Sequence, residues 1–212
     1  MDREAFIRAN TTAMTPPHVP EIRLMLAHEA HELWQRTEEE LQAIGLPPPF
    51  WAFAWAGGQG LARHILDHPE TVRGKAVLDF ACGSGIVAIA AALAGAKQVL
   101  AADVDPFCGT ALRLNAALNH VEIGFTDADL IGTDAGWEAV LAGDVFYDRP
   151  LAERLLPWFG ALSRRGSAVL VGDPGRAYLP KQGLEAVASY SVPVTRALED
   201  AEVKRTTVWR LA

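Results

Sequence analysis

Four aspartates of this 212-residue chain, Asp79, Asp103, Asp144 and Asp173, each fall near the end of a short apolar run. Carboxylates so placed can accept hydrogen bonds from hydroxyls, bind an ammonium or orient an amine. After the first run comes a glycine turn, in Asp79-Phe80-Ala81-Cys82-Gly83-Ser84-Gly85-Ile86-Val87-Ala88. Glycines there let the backbone approach a ligand closely and take left-handed φ values. A helix opening behind them aims unpaired N–H groups and a positive dipole end at the same spot. The chemistry is that of a nucleotide-like ligand.

Two ligand classes fit. Gly83-x-Gly85-x-x-Ala88, with Asp103 about 20 residues on, satisfies the loose dinucleotide fingerprint. A nicotinamide-dependent oxidoreductase is therefore one reading. Asp79, just ahead of the first glycine, argues against it, because a carboxylate near a pyrophosphate is repelled. A ligand with a cationic amino group is attracted instead. S-adenosylmethionine offers an ammonium, a sulfonium and two ribose hydroxyls, and carries no phosphate.

The elements that must position these groups follow from the pattern. Ala76–Phe80, Gln98–Ala102, Trp137–Ala142 and Ser167–Val171 read as buried strands, with Val121–Phe125 a weaker one. Helices are expected at Gly85–Ala94, at Pro106–Leu118 opened by its proline, and at Pro150–Leu162. Strands alternating with helices imply a parallel, doubly wound sheet, whose ligands sit beyond the carboxyl ends of the strands. Near the end a helix is expected at Lys181–Val187, then extended runs at Ser189–Thr195 and Thr206–Leu211 closing a hairpin.

Ahead of the core the chain is expected to be helical from Glu21 to Gly45, with Thr37 and Glu40 as a capping box. His28 and His31 read as part of a solvated polar face. Pro47-Pro48-Pro49 is a rigid connector. The following Phe50-Trp51-Ala52-Phe53-Ala54-Trp55-Ala56-Gly57-Gly58-Gln59-Gly60 either covers the core or forms an aromatic lip over a pocket. Leu61–His68 reads as a helix. His64-Ile65-Leu66-Asp67-His68 has the spacing of an inverted zinc motif without its glutamate, so surface histidines at a helix end are expected and no metal.

Composition removes some classes. A net charge of −7, from 19 basic and 26 acidic residues, argues against a general nucleic-acid binder. No apolar run reads as a membrane span and the first residues carry no signal pattern, so no membrane association is expected. Cys82 and Cys108 lack metal spacing and read as reduced thiols of a cytoplasmic protein.

Asp79-x-x-x-Gly83-x-Gly85 resembles motif I of the seven-strand methyltransferases. Asp144-Val145-Phe146-Tyr147 is similar to the acid-x-x-aromatic motif of the protein lysine methyltransferases in that fold. Together with the Phe50–Gln59 segment and Gly172-Asp173-Pro174-Gly175-Arg176, these residues resemble the bacterial form of the electron transfer flavoprotein β subunit lysine methyltransferases. The likeness runs from about Phe6 to Leu211 and departs at Ala56, where relatives often have proline. The ribosomal protein L11 methyltransferases are a neighbouring family, with a separate N-terminal domain and an Asn-containing motif. L11-type and small-molecule methylation are the alternatives, with the oxidoreductase a third.

The resemblance implies an α/β fold: a Rossmann-like seven-stranded methyltransferase fold, mostly parallel, with a C-terminal antiparallel hairpin. An N-terminal helical extension (1–49) would precede the methyltransferase domain (50–212). It implies S-adenosyl-L-methionine as cofactor, held by Trp55, Gly57, Gln59, Asp79, Ala81, Gly83, Gly85, Asp103, Val104, Asp129 and Asp144. The implied partner is the electron transfer flavoprotein β subunit, approached by a monomer. Asp144 and Tyr147 are the expected catalytic pair: Asp144 accepts a hydrogen bond from the lysine amine and Tyr147 walls the channel. Trp51 or Trp55 would add a face for the cationic product. An aspartate at a strand end can also cap a helix, and Tyr147 can be core.

Overall fold

The computed structural model describes residues 2–28, 48–194 and 196–211. The chain opens with helix α1 (Arg3–Asn10), then strands β1 (Thr12–Met14) and β2 (Leu24–Leu26). A 3-10 turn (Phe50–Ala52) leads into α2 (Ala56–Asp67), β3 (Ala76–Phe80), α3 (Ile86–Leu93), β4 (Gln98–Ala102) and α4 (Pro106–Leu118). There follow β5 (Gly124–Thr126), β6 (Ala139–Gly143), α5 (Arg149–Arg164), β7 (Ala168–Asp173), β8 (Leu184–Pro193) and β9 (Val203–Leu211). One turn of helix, Arg196–Glu199, joins the last two strands.

Seven strands form one sheet in the order β5-β4-β3-β6-β7-β9-β8. β5 to β7 run parallel, while β9 lies antiparallel to β7 and to β8. The expected mostly parallel sheet with its closing hairpin is thus the observed one. Central β3 is buried over Val77–Phe80, as a strand covered on both faces by helices must be. α3 is apolar all round and buried from Ile86 to Ala91, its alanines letting it lie close to its neighbours. The chain leaves β3 for β4 on one side and later returns to β6 on the other, so a crevice opens at their carboxyl ends.

Local signals set several boundaries. Asp105 caps α4 by accepting from the Phe107 N–H at 2.9 Å, with Pro106 at the first helical position. Asp148 caps α5 by accepting from Leu151 N–H at 2.9 Å. Glycines 57, 58 and 60 stand inside α2, which starts well before the expected Leu61. A Cβ on Gly57 would lie 2.5 Å from Asp144 Oδ2 and closer still to the Gly172 carbonyl oxygen. Close approach of α2 to the ends of β6 and β7 is what those glycines provide.

Three expectations are corrected. The helix placed from Glu21 onward is overturned at Leu24–Leu26, a strand paired with Thr12–Met14. These residues are three buried apolar side chains in a row, and their backbone is tied to α4 through Met25 N–H and Asn115 Oδ1 at 2.7 Å. Thr37, Glu40, His31 and Gly45 lie outside the described residues. The helix at Lys181–Val187 is instead the start of β8, where Leu184 pairs with Leu211. Long-range pairing outweighs the local preference there. Last, His64 is not a surface residue: it is 5% exposed, with Nδ1 3.3 Å from the Tyr190 hydroxyl. No helix among the described residues is long and apolar enough to cross a membrane.

Candidate active site

At the end of β3 the backbone takes left-handed φ at Ala81 (55°), Gly83 (49°) and Gly85 (79°). The turn is tied to β4 by Cys82 N–H, which donates to Ala102 O at 3.1 Å. It is tied to the N-terminal segment by Asn115, whose Nδ2 donates to Ser84 O at 2.8 Å while its Oδ1 accepts from Met25. The turn and the start of α3 form one wall of a cavity of about 400 Å³. That is a size typical of small-molecule sites.

Most of the expected residues meet in this cavity. Asp79, Ala81, Gly83, Asp103 and Val104 line the side near β3 and β4, and Asp129, Asp144, Tyr147 and Trp55 line the rest. Gly57, Gln59 and Gly85 lie outside its lining. Gly57 backs onto Asp144, and Gln59, in α2, ties down two segments outside the helix: Nε2 donates to Ala54 O at 2.7 Å and Oε1 accepts from His18 N–H at 3.4 Å. Gly85 has no room for a side chain against Leu112. Trp51 is 2% exposed and stacks on Phe107 with ring centroids 5.6 Å apart, so it is core rather than channel wall. Trp55 is the tryptophan that reaches the cavity, its Nε1 donating to Phe50 O at 3.1 Å.

The carboxylates differ in their surroundings. Asp79 is 1% exposed, and the Ala88 N–H donates to its Oδ2 at 2.9 Å. Burial, with Asp103 adding to it, pushes its carboxyl up to about 8. Asp103 accepts from Gly83 N–H at 2.9 Å and from Asp105 N–H at 3.0 Å. Asp105 has a buried Oδ2 without a hydrogen-bond partner among the described residues, and burial pushes it up to about 6. Asp129 is held below the usual range by its hydrogen bond from Arg154.

Asp144 sits at φ 56° at the end of β6, and its Oδ2 accepts from Gly58 N–H at 2.9 Å. Burial raises it to about 6 against the opposing pull of Arg176. Tyr147 is half exposed, its ring 5.7 Å from Phe50, so it stands at the mouth and not in the core. Burial raises its phenol.

Two residues beyond the expected set, Arg176 and Glu199, complete the surroundings of Asp144. Arg176 donates from Nε and Nη2 to Asp144 Oδ1, at 3.0 and 2.6 Å. Glu199 accepts from Arg176 Nη1 and Nη2 at 3.0 and 2.7 Å. The turn Gly172–Arg176 at a strand end was a cue for the first; Glu199 carries no local signal.

Comparison with known proteins gives these features a family. A match to the family described as Ribosomal protein L11 methyltransferase (PrmA) spans residues 64–141. The fold is similar to a ribosomal protein L11 methylase from Lactobacillus delbrueckii subsp. bulgaricus: TM-score 0.52, 24% identity, covering 76% of this chain and 81% of that one. It is also similar to magnesium protoporphyrin IX methyltransferase from Synechocystis PCC 6803 with bound SAM: TM-score 0.53, 19% identity, 71% and 78% covered. Along nearly its whole length the chain is 42% identical to the electron transfer flavoprotein beta subunit lysine methyltransferase of Xenopus laevis, covering 97% of this chain and 85% of that protein. It is 35% identical to the one of Homo sapiens, covering 97% and 80%. The chain belongs to the electron transfer flavoprotein β subunit lysine methyltransferase family.

Proposed function

We propose that this protein transfers methyl groups from S-adenosylmethionine to lysine side chains of the electron transfer flavoprotein β subunit, in the cytoplasm. The observation that carries the reaction is the meeting of Asp79, Asp103 and Asp144 in one cavity, from the ends of three adjacent strands. The substrate rests on the relatives that bear its name.

The residues fit the cofactor. Asp79 is a carboxyl pushed up by burial and by Asp103, and an ammonium beside it would supply a counter-charge. Asp103 stands at the β4 end, where ribose hydroxyls find an acceptor. Asp105 adds an acceptor atom with no partner among the described residues. Gly83 leaves space for the ligand beside its backbone. Bound there, S-adenosylmethionine supplies an electrophilic methyl group on its sulfonium.

The chain's own part is to bring a neutral amine into line. Methyl transfer to an amine is a displacement that depends on alignment. A lysine amine has an ordinary pKa of about 10.4 and must lose its proton first. Phe50, Trp55 and Tyr147 line the mouth, and an amine passing between their aromatic faces loses water, which disfavours the ammonium. Asp144 accepts an N–H of the amine and points its lone pair.

Two measurements test this. S-adenosylhomocysteine should raise the melting temperature and NAD should not; the reverse would restore the oxidoreductase reading. Asp144→Ala should abolish methylation while keeping S-adenosylhomocysteine binding, and unchanged turnover would remove Asp144 from the reaction.

A further inference from the structure

The Asp144 backbone is tied to β7 by its N–H, which donates to Gly172 O at 2.9 Å, but its carboxylate needs partners of its own. The residue adopts left-handed φ, which costs energy for a residue with a Cβ, and its carboxylate is buried beside a second buried acid, Glu199. Arg176 stands between the two. Its Nε and Nη2 grip Asp144 Oδ1 as a fork, and Nη1 and Nη2 grip both oxygens of Glu199. Its guanidinium carbon also lies 5.6 Å from the centre of the Trp55 ring. Glu199 is itself fixed, accepting from Ala56 N–H at 3.4 Å, with Lys204 Nζ 4.0 Å away. The Arg176 turn is set by Asp173, whose Oδ1 accepts from the N–H groups of Gly175 and Arg176 at 2.6 and 2.7 Å.

We infer that Arg176, oriented by Glu199, is the positioning residue that keeps the Asp144 carboxylate ionised and aimed at the acceptor amine. An ionised carboxylate offers about four acceptor sites. Gly58 N–H and two Arg176 N–H groups fill three, which leaves one for the substrate. A guanidinium suits the role because its planar set of donors reaches Asp144 Oδ1 with two N–H groups while holding both oxygens of Glu199, which the point charge of a lysine does not. The groups facing Asp144 are the Gly58 N–H from α2, Arg176 from the loop after β7, and Glu199 from the turn after β8. Burial and Glu199 push its carboxyl up; Arg176 pulls it down. Without Arg176 the carboxyl would be protonated at neutral pH. It would then present a donor where the amine needs an acceptor. The C-terminal hairpin is thereby part of the active site, through Glu199.

This rests on the reading of Asp144 as the acceptor-side carboxylate, so the test carries one readout independent of the methylated substrate. The first is carboxyl carbon-13 NMR titration of aspartate-labelled protein, with the Asp144 signal assigned through Asp144→Asn. The second is the pH dependence of kcat/KM with the flavoprotein. In Arg176→Gln the Asp144 midpoint should rise by about one to three pH units, the usual effect of an adjacent guanidinium. The acid limb of kcat/KM should rise with it. Arg176→Lys keeps the charge and so guards against a folding defect in the glutamine variant. There the midpoint should stay near the wild-type value while kcat falls. An unmoved Asp144 midpoint in Arg176→Gln, or full kcat in Arg176→Lys, overturns the inference. A midpoint that moves as stated, in a protein whose wild type leaves the flavoprotein unmethylated, refutes the substrate and upholds the clamp.

Discussion

An ammonium placed against Asp79, as proposed, would bind with release of a proton, and the size of that release follows from the burial of the carboxyl. The free carboxyl titrates at about 8. At pH 7 it is therefore about nine-tenths protonated, and an ammonium placed against it releases about 0.9 of a proton per ligand bound. With the bound carboxyl titrating below pH 6, affinity rises as (1 + 10^(8−pH)) falls. From pH 6 to pH 7 that is nearly tenfold, or about 1 kcal/mol. Above pH 8 the gain ends, and loss of the ligand's own ammonium reverses it.

Calorimetric titration of S-adenosylhomocysteine in buffers of different ionisation enthalpy measures the released proton directly. Asp79→Asn is the matched control, since the amide oxygen still accepts from Ala88 N–H. It should lose most of the proton release and most of the pH slope, leaving what Asp105 and Asp144 contribute. The same carboxyl sets a stability trend. The unfolded chain loses this proton near 3.8 and the folded chain near 8, so the folded state binds more protons in that window and stability falls as pH rises through it. Without ligand, Asp79→Asn should melt higher than wild type at pH 8, with the gap closing toward pH 4. A buffer-independent binding enthalpy, with equal slopes in wild type and Asp79→Asn, would refute the reasoning.

Three further outcomes follow from the packing. Asn115→Ala strands the buried Met25 N–H and Ser84 carbonyl, and should cost about 2–4 kcal/mol in urea unfolding. It should also weaken S-adenosylhomocysteine binding, because Ser84 belongs to the glycine turn. Gly57→Ala puts a methyl 2.5 Å from Asp144 Oδ2, and should cost about 1–3 kcal/mol while lowering methylation more than cofactor affinity. Cys82 and Cys108 are buried thiols pushed up by that burial, so a disulfide exchange reagent should label them far more slowly in the folded protein than in urea; equal rates would contradict this.

The parts legible in the sequence are those whose causes are local. Ala76–Phe80 and Pro106–Leu118 coincide with the observed elements because a buried apolar run and an Asp-Pro helix start act within a few residues. The glycine turn and its acids were legible for the same reason. The second half of β8 falls in the expected extended run from Ser189, but its start at Leu184 was not legible: its partner is β9, and its exposure does not alternate cleanly, so no period-two signal marks it. Leu24–Leu26 is held by Asn115, far along the chain. Gly57 looked like a ligand-side glycine, yet its need is for contact with β7. Arg176 meets Asp144, and Glu199 meets Arg176, only in three dimensions, so beyond the turn that ends in Arg176 no spacing marked either.

The most direct test of the account is to incubate the purified protein with electron transfer flavoprotein and methyl-tritiated S-adenosylmethionine, then map the label by peptide mass spectrometry. The expected result is label on lysine of the β subunit, lost in Asp144→Ala. Label absent from the β subunit, or found instead on ribosomal protein L11 or on small molecules, would contradict it.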